Sequence, residues 1–107
     1  MNEMVVFSGS AHPELAQRIC SNLGVPLSPS HISRFSNDCI QAQLLANCRQ
    51  RDVYIVQPIV PPTQEHLMEL LMMIDAARGA SAAQITAVMP HYAYARSDKK
   101  DASRISR

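Results

Sequence analysis

Three short runs of β-branched and other apolar residues stand out along the chain, and each one ends at small or polar residues. They are MVVFSGS (residues 4–10), DVYIVQP (residues 52–58) and QITAVMP (residues 84–90). Runs of this length, bounded by glycine, proline or charged residues, are typical of buried strands. The pattern therefore predicts three short buried strands.

The segment after the first strand has apolar residues at helical spacing. Leu15, Ile19 and Leu23 recur every four positions. A proline opens the segment and Gly24 follows it, which are the usual start and stop signals of a helix. Residues 13–23 are therefore predicted to form an amphipathic helix.

A second, longer helix is predicted over residues 63–79. Thr63 is the predicted N-cap, and Gly79 ends the segment. One apolar stripe is predicted from Leu67, Leu70, Leu71 and Ile74. Glu69 interrupts that apolar run. The methionines of this helix are interpreted as core filler or an interface patch: Met68, Met72 and Met73.

Between the first helix and the second buried strand, the pattern changes to two shorter segments around a turn. HISRFSND (residues 31–38) has its apolar signal at Ile32 and Phe35 and ends in turn residues, and CIQAQLLA (residues 39–46) partly alternates. We expect an antiparallel hairpin here. The order strand, helix, hairpin, strand, helix, strand predicts an α/β domain of parallel strands joined by right-handed crossovers, with the hairpin as a small appendage.

Composition and charge narrow the class of protein. The chain has 107 residues, 47% of them hydrophobic, which fits one globular domain with a modest core. Three cysteines without C-x-x-C spacing, and no signal-peptide pattern, predict free thiols and a cytoplasmic location. The longest apolar run is too short to span a membrane. Residues 1–95 carry a net charge of about −2 and the last twelve about +3, so an anion would be met at the end of the chain.

The carboxyl ends of the predicted parallel strands are the candidate ligand positions, because open α/β sheets bind ligands there. The groups that follow the strands are Ser8-Gly9-Ser10, Gln57-Pro58 and Pro90-His91. Basic side chains after the last strand are placed to contact an anion such as a phosphate chain: Arg96, Lys99, Lys100 and Arg104. The alternative, which composition alone favours, is a solvated charged tail. Tyr92 and Tyr94, and the strand that leads into the segment, count against it.

Other chemical signals are weaker. The four histidines have no H-x-x-x-H or H-E-x-x-H spacing, which argues against a metal site. Cys39 has no basic neighbour in sequence and is interpreted as structural. The helix N-terminus behind SGSA (residues 8–11) is a place where an anion could be accepted. A nucleic-acid-binding module is disfavoured because the basic end has no recognition motif.

Several blocks in chain order resemble the N-terminal half of ribose-phosphate diphosphokinase (phosphoribosyl pyrophosphate synthase). They are VVFSGSAHPELAQ (5–17), RFSND (34–38), RDVYIVQ (51–57), HLMELLMMIDAARGASA (66–82) and ITAVMPHYAYARSDKKDASR (85–104). The resemblance implies that residues 1–107 form an N-terminal domain with a phosphoribosyltransferase-like three-layer fold. It also implies transfer of the diphosphoryl group of ATP to ribose 5-phosphate, with Mg²⁺, in a homo-oligomer that is a hexamer built from dimers, without nucleic acid or membrane.

The resemblance also implies roles for individual positions. Phe35 and Asn37 match residues that hold adenine, on a hairpin that reaches a neighbouring subunit's site. Arg96 matches the arginine on the ATP phosphates and is the expected catalytic residue, since phosphoryl transfer relies on positioning and charge neutralisation. The rest of the ATP loop is matched by Ser97, Asp98, Lys99, Lys100 and Asp101. Positions that bind regulatory phosphate or nucleotide in some members are matched by Arg49, Ser81 and Arg104.

The chain also departs from the family pattern. Cys39 stands where the family usually has glutamate, Ser97 stands where it usually has glutamine, and the loop around Arg104 is shorter. Family members are much longer, and their metal-binding histidine, ribose-phosphate loop and second domain lie beyond the match, so Mg²⁺ ligands are expected outside this chain. We therefore expect this chain alone to be inactive. It is either the ATP-side part of the enzyme or a non-catalytic relative that associates with full-length subunits.

Overall fold

A computed structural model describes residues 3–37 and 39–90 of the chain. Five strands and two helices follow one another in the predicted order. They are β1 (Met4–Ser8), α1 (Pro13–Leu23), β2 (Ser30–Arg34), β3 (Ile40–Leu44), β4 (Asp52–Val56), α2 (Thr63–Gly79) and β5 (Gln84–Val88). The predicted α/β class is therefore confirmed.

The main sheet contains three parallel strands in the order β1-β4-β5. Val5 of β1 pairs with Val53 of β4, which in turn pairs with Ile85 of β5. On the outer side of β1, Leu27 forms a single parallel bridge with Val6. The hairpin of β2 and β3 is a separate antiparallel sheet. Both the parallel crossovers and the small antiparallel hairpin were predicted from the pattern.

The parallel sheet is the middle of three layers. On one face, Val6 and Val56 pack with Ala16 and Cys20 of α1. On the other face, the sheet packs against α2 and the hairpin through a larger cluster of buried residues: Val5, Phe7, Cys48, Val53, Ile55, Leu70, Met73 and Ala77. Side chains alternate between the two faces along each strand, and both faces are covered, so apolar residues point to both sides of the sheet. The three-layer prediction is confirmed.

Helix α1 has the predicted limits because both of its end signals are local. The His12 imidazole Nδ1 accepts a hydrogen bond from the Leu15 N–H at 3.1 Å, which caps the first turn. Gly24, with φ of 75°, ends the helix in the left-handed conformation that glycine adopts without strain.

Helix α2 has the predicted limits but differs from the prediction in two details. Pro62 occupies the N-cap position and no side chain caps the helix, so the prediction of Thr63 as N-cap is wrong. The buried positions are Glu69, Leu70, Met73 and Ala77, whereas Leu67 and Leu71 are exposed. The stripe that faces the sheet is therefore rotated from the predicted one. Within the described residues, neither helix is long and apolar enough to cross a bilayer.

Candidate functional site

The turn between β2 and β3 presents Phe35 and Asn37 at the surface. The Phe35 N–H donates to the Cys39 carbonyl at 2.9 Å, and the Cys39 N–H donates to Asn37 Oδ1 at 3.3 Å. Phe35 is 51% exposed. The Asn37 amide group is also exposed, and its NH₂ makes no hydrogen bond to the described residues. The turn thus offers one aromatic face and one free amide donor.

An ion pair fixes where this turn lies relative to the sheet. Arg34, the last residue of β2, places Nη2 3.1 Å from Oε1 of Glu65 in the first turn of α2. Helix α2 starts after β4, on the side where the parallel strands end. The turn with Phe35 and Asn37 therefore lies at the carboxyl edge of the sheet, although this half-exposed pair contributes little stability by itself.

The carboxyl ends of β1 and β4 are joined by a buried polar network. Gln57 is fully buried and Glu69 is 1% exposed. Gln57 Nε2 donates to the His66 carbonyl at 3.2 Å and to Glu69 Oε2 at 3.1 Å, and Gln57 Oε1 accepts from the Ala11 N–H at 3.1 Å. Glu69 also accepts two hydrogen bonds from Ser10, one from the backbone N–H and one from the hydroxyl at 2.8 Å. The network ties the turn after β1 to β4 and α2.

Sequence reasoning named Ser10 and Gln57 as groups at strand ends but missed Glu69. The available signal was an acidic residue inside the apolar run from Leu67 to Ile74. An acidic residue on the apolar face of a helix is usually buried only when hydrogen-bond donors meet it. Those donors come from the β1–α1 turn and from β4, which are distant in sequence.

Beside the β1–α1 turn, an open cleft of about 400 Å³ lies between β1, the Leu27 segment and the start of the hairpin. Serine residues lie along its rim. Ser8 Oγ donates to the Gly9 carbonyl at 2.7 Å, and Ser30 Oγ donates to the Ser8 carbonyl at 3.2 Å. These two hydroxyl protons are therefore used inside the protein, which leaves the hydroxyl oxygens as acceptors on that part of the rim.

Two of the three predicted regulatory residues lie close together, at the opposite edge of the sheet. Arg49 is exposed in the loop before β4, and Ser81 is exposed in the loop before β5. The two loops are joined by the Gln50 N–H, which donates to the Ser81 carbonyl at 2.8 Å. Both Gln50 and Ser81 have positive φ angles, 57° and 65°. The structure thus brings these loops together at the amino edge of the sheet.

The remaining predicted site residues lie outside the described part of the chain: Arg96, Ser97, Asp98, Lys99, Lys100, Asp101 and Arg104. Within residues 3–37 and 39–90, no group of three histidine, cysteine or acidic side chains is placed to hold a metal ion. All three cysteines are free thiols, as predicted, and Cys39 is exposed.

Comparison with known proteins connects this arrangement to one family. Residues 4–106 match the family model of the N-terminal domain of ribose phosphate pyrophosphokinase. The chain belongs to this family. A Streptomyces coelicolor protein of the ribose-phosphate pyrophosphokinase family is 71% identical over 106 residues, which is 99% of this chain and 33% of that protein. The ribose-phosphate pyrophosphokinase of Deinococcus radiodurans is 52% identical over 103 residues, covering 96% of this chain and 32% of its own length.

A solved structure supports the same assignment at the level of fold. The crystal structure of phosphoribosylpyrophosphate synthetase from Mycobacterium smegmatis matches 90% of this chain with a TM-score of 0.79 and 38% sequence identity, and the match spans 32% of that protein. The chain thus spans about a third of the length of the ribose-phosphate pyrophosphokinases that it matches. The resemblance inferred from the sequence is confirmed.

Proposed function

We propose that this chain supplies the ATP-side domain of a ribose-phosphate pyrophosphokinase, the enzyme that transfers the diphosphoryl group of ATP to ribose 5-phosphate and releases AMP. Membership of the family supports the reaction class. The observation that carries the role of this domain is the exposed turn with Phe35 and Asn37 at the carboxyl edge of the sheet.

The chemistry of the turn suits a purine. The exposed Phe35 ring offers a face on which a base can stack. The Asn37 amide keeps its NH₂ donor free while its oxygen is held by the Cys39 N–H, so it can donate to a ring nitrogen of adenine. Ile32, Ala42 and Leu44 pack the hairpin against the core cluster that includes α2, and the turn beyond them leaves Phe35 exposed.

The phosphate end of ATP is assigned, in this proposal, to the segment that follows β5. Strand β5 ends with Val88 at the same sheet edge as the hairpin turn. In the proposal Arg96 neutralises charge on the phosphates, and the loop continues through Ser97, Asp98, Lys99, Lys100 and Asp101. A guanidinium suits this task because it makes two parallel hydrogen bonds to a phosphate. Mg²⁺ would come with ATP and neutralise phosphate charge, held by residues outside this chain.

The proposal extends to assembly and regulation. We propose a cytoplasmic homo-oligomer in which the hairpin turn of one copy contributes to the ATP site of the next. Arg49 and Ser81, on loops that are joined at the amino edge, together with Arg104, are proposed to contact a regulatory phosphate or nucleotide. The amino-edge position separates these two residues from the adenine-contacting turn within one chain.

The test is a chimera in which this chain is followed by the remaining two-thirds of the Streptomyces coelicolor relative. AMP release from ATP and ribose 5-phosphate is measured for the chimera and for the chain alone. Activity is expected only in the chimera. In the chimera, Phe35→Ala is expected to raise KM for ATP roughly 5- to 150-fold, since stacking of a base on an aromatic ring contributes about 1–3 kcal/mol.

Leu45→Ala is the matched control, because Leu45 is an equally exposed apolar residue, 54% exposed, just beyond the other end of the hairpin. It should leave KM for ATP unchanged. An unchanged KM in Phe35→Ala would remove the turn from ATP binding. A folded, oligomeric chimera without AMP release would favour the second candidate, a non-catalytic relative that associates with active subunits. The presence of Cys39 where the family usually has glutamate also favours this second candidate.

A further inference from the structure

The connections of the main sheet diverge between β1 and β4. From β1 the chain crosses one face through α1 and returns to the outer side of β1 at the Leu27 bridge. From β4 it crosses the opposite face through α2 and continues to β5. In doubly wound sheets, the crevice at such a switch point, outside the carboxyl ends of the strands, is where ligands bind.

In this chain, that crevice is filled by a side chain of the protein itself. The Glu69 carboxylate lies there and is 1% exposed. It accepts the Ser10 N–H and the Ser10 hydroxyl, the latter at 2.8 Å, and it accepts Gln57 Nε2 at 3.1 Å. The next backbone donor, the Ala11 N–H, is bound by Gln57 Oε1. Every contact to Glu69 is thus a donation to a carboxylate oxygen, which is the pattern of a bound anion.

We propose that the β1–α1 turn is an oxyanion-binding turn whose ligand is the chain's own Glu69 carboxylate. The donors of Ser10 and Ala11, which would otherwise meet a phosphate or carboxylate in this turn, are committed to Glu69 and Gln57. External anions are therefore excluded from the switch-point crevice, and removal of the Glu69 carboxylate opens a site for one small oxyanion. This inference does not depend on the proposed function, since it concerns residues of this domain alone.

A purely structural role for Glu69 would also make its replacement destabilising, so stability alone does not decide. The two roles differ in the effect that an added small anion has on the stability of the Glu69 variant. A turn built for an oxyanion keeps its donors in place when the side chain is shortened, and a free carboxylate of the right size then restores the lost contacts. A side chain that is only a packing element cannot be replaced by a solute in this way.

The experiment uses this chain with Glu69→Ala, and with Glu65→Ala as the matched control, because Glu65 is an exposed glutamate one turn away on the same helix. Thermal unfolding is followed during titration with sodium formate, with sodium chloride at the same ionic strength, and with sodium phosphate. Glu69→Ala is expected to lower the midpoint. Formate should raise it again with saturation, beyond the effect of chloride. The wild type and Glu65→Ala should respond to formate only as they do to chloride.

The NMR resonance of the Ser10 amide reports directly on the hydrogen bond from its N–H to a carboxylate oxygen. Formate should return it towards its wild-type position in Glu69→Ala, and phosphate should not move it in the wild type. Equal effects of formate and chloride on Glu69→Ala, or a phosphate-dependent shift in the wild type, would overturn the proposal. If Glu69→Ala does not fold, Glu69→Gln replaces it. Its carboxamide keeps one neutral acceptor oxygen where the carboxylate has two charged ones, so the Ser10 amide signal must shift, and an unmoved signal rejects the oxyanion assignment.

Discussion

The glycine after β1 gives the most demanding test of the buried network. A Cβ built on Gly9 would stand closer than 3.0 Å to the Gln57 carboxamide, including 2.7 Å from its Nε2. Gly9 itself is fixed by the hydrogen bond from its N–H to the Val56 carbonyl at 3.0 Å. In Gly9→Ala the backbone therefore stays tied to β4, and the Gln57 side chain has to move.

The expected cost follows from what Gln57 loses when it moves. Its carboxamide is fully buried and makes three hydrogen bonds, to the Ala11 N–H, the His66 carbonyl and Glu69. A buried polar group left without a partner costs about 1–3 kcal/mol. Some partners will be regained after rearrangement, so we expect Gly9→Ala to lower the free energy of unfolding by about 2–4 kcal/mol. That is a large share of the roughly 5–15 kcal/mol typical of a domain.

Urea unfolding followed by far-UV circular dichroism measures this loss, and the chain offers two glycine controls. In Gly79→Ala the added Cβ would have no atom within 4 Å, so the free energy of unfolding should change by less than about 1 kcal/mol. Gly24→Ala also meets nothing, but its φ of 75° should cost about 1 kcal/mol of backbone strain.

A double-mutant cycle isolates the cause. Gln57→Ala removes the group that the new methyl would meet, so Gly9→Ala should cost less than about 1 kcal/mol in that background. The reasoning is refuted if Gly9→Ala is as mild as Gly79→Ala in the otherwise unchanged chain. It is also refuted if Gly9→Ala has the same effect with and without the Gln57 side chain.

Two further predictions concern the core and the thiols. Met73→Ala should cost about 2–5 kcal/mol, because Met73 is fully buried, whereas Met68→Ala should cost less than about 1 kcal/mol, because Met68 is 46% exposed; urea unfolding of both variants checks the contrast. Exposed Cys39 should react with a thiol reagent at once, and Cys20 and Cys48 only on unfolding. Burial raises the pKa of the Cys20 and Cys48 thiols above the ordinary 9.0, so their stabilising effect is present below pH 9 and decreases as the pH rises further. The loss of unfolding free energy between pH 8 and pH 10 should be smaller in Cys20→Ala than in the unchanged chain. An equal loss would contradict the assignment of this pH dependence to the buried thiols.

Features that depend on neighbouring residues in the sequence were predicted well. The limits of α1 followed from a proline at its start and Gly24 at its end, and the structure has both. The hairpin followed from two short segments around a turn; β3 lies within the second, and β2 begins one residue before the first, at Ser30. Each of these signals acts within a few residues of chain, so no knowledge of the tertiary fold was needed.

The orientation of α2 could not be predicted in the same way. Its apolar residues go most of the way round the helix, so periodicity alone does not say which side faces the sheet. Leu67 and Leu71 were expected to be buried, but Glu69 takes a buried position because Ser10 and Gln57 supply its hydrogen-bond partners. The choice depends on donors that come from two other segments of the chain. Only the fold brings them together.

The candidate site shows the same difference between features that the local sequence predicts and features that only the fold determines. Phe35 and Asn37 were named from the resemblance to a family, and the structure has them on an exposed turn. Their location at the carboxyl edge depends on the pair between Arg34 and Glu65, which are 31 positions apart. The proximity of the Arg49 and Ser81 loops likewise depends on a hydrogen bond between distant segments. The residues could be named from the chain, but their arrangement could not.

The buried network also bears on where a ligand can bind in this domain. Of the three strand ends that were candidate ligand positions, the ends of β1 and β4 are committed to each other through Gln57 and Glu69. The crevice between these two strand ends is therefore closed to an external ligand, whereas the hairpin turn at the same edge is exposed. In the function that we propose, the nucleotide is held at the exposed hairpin turn rather than in the crevice of the sheet, and so on an open surface. Such a surface needs a second body to exclude water from the phosphates, which is a physical reason for this domain to work only as part of a larger assembly.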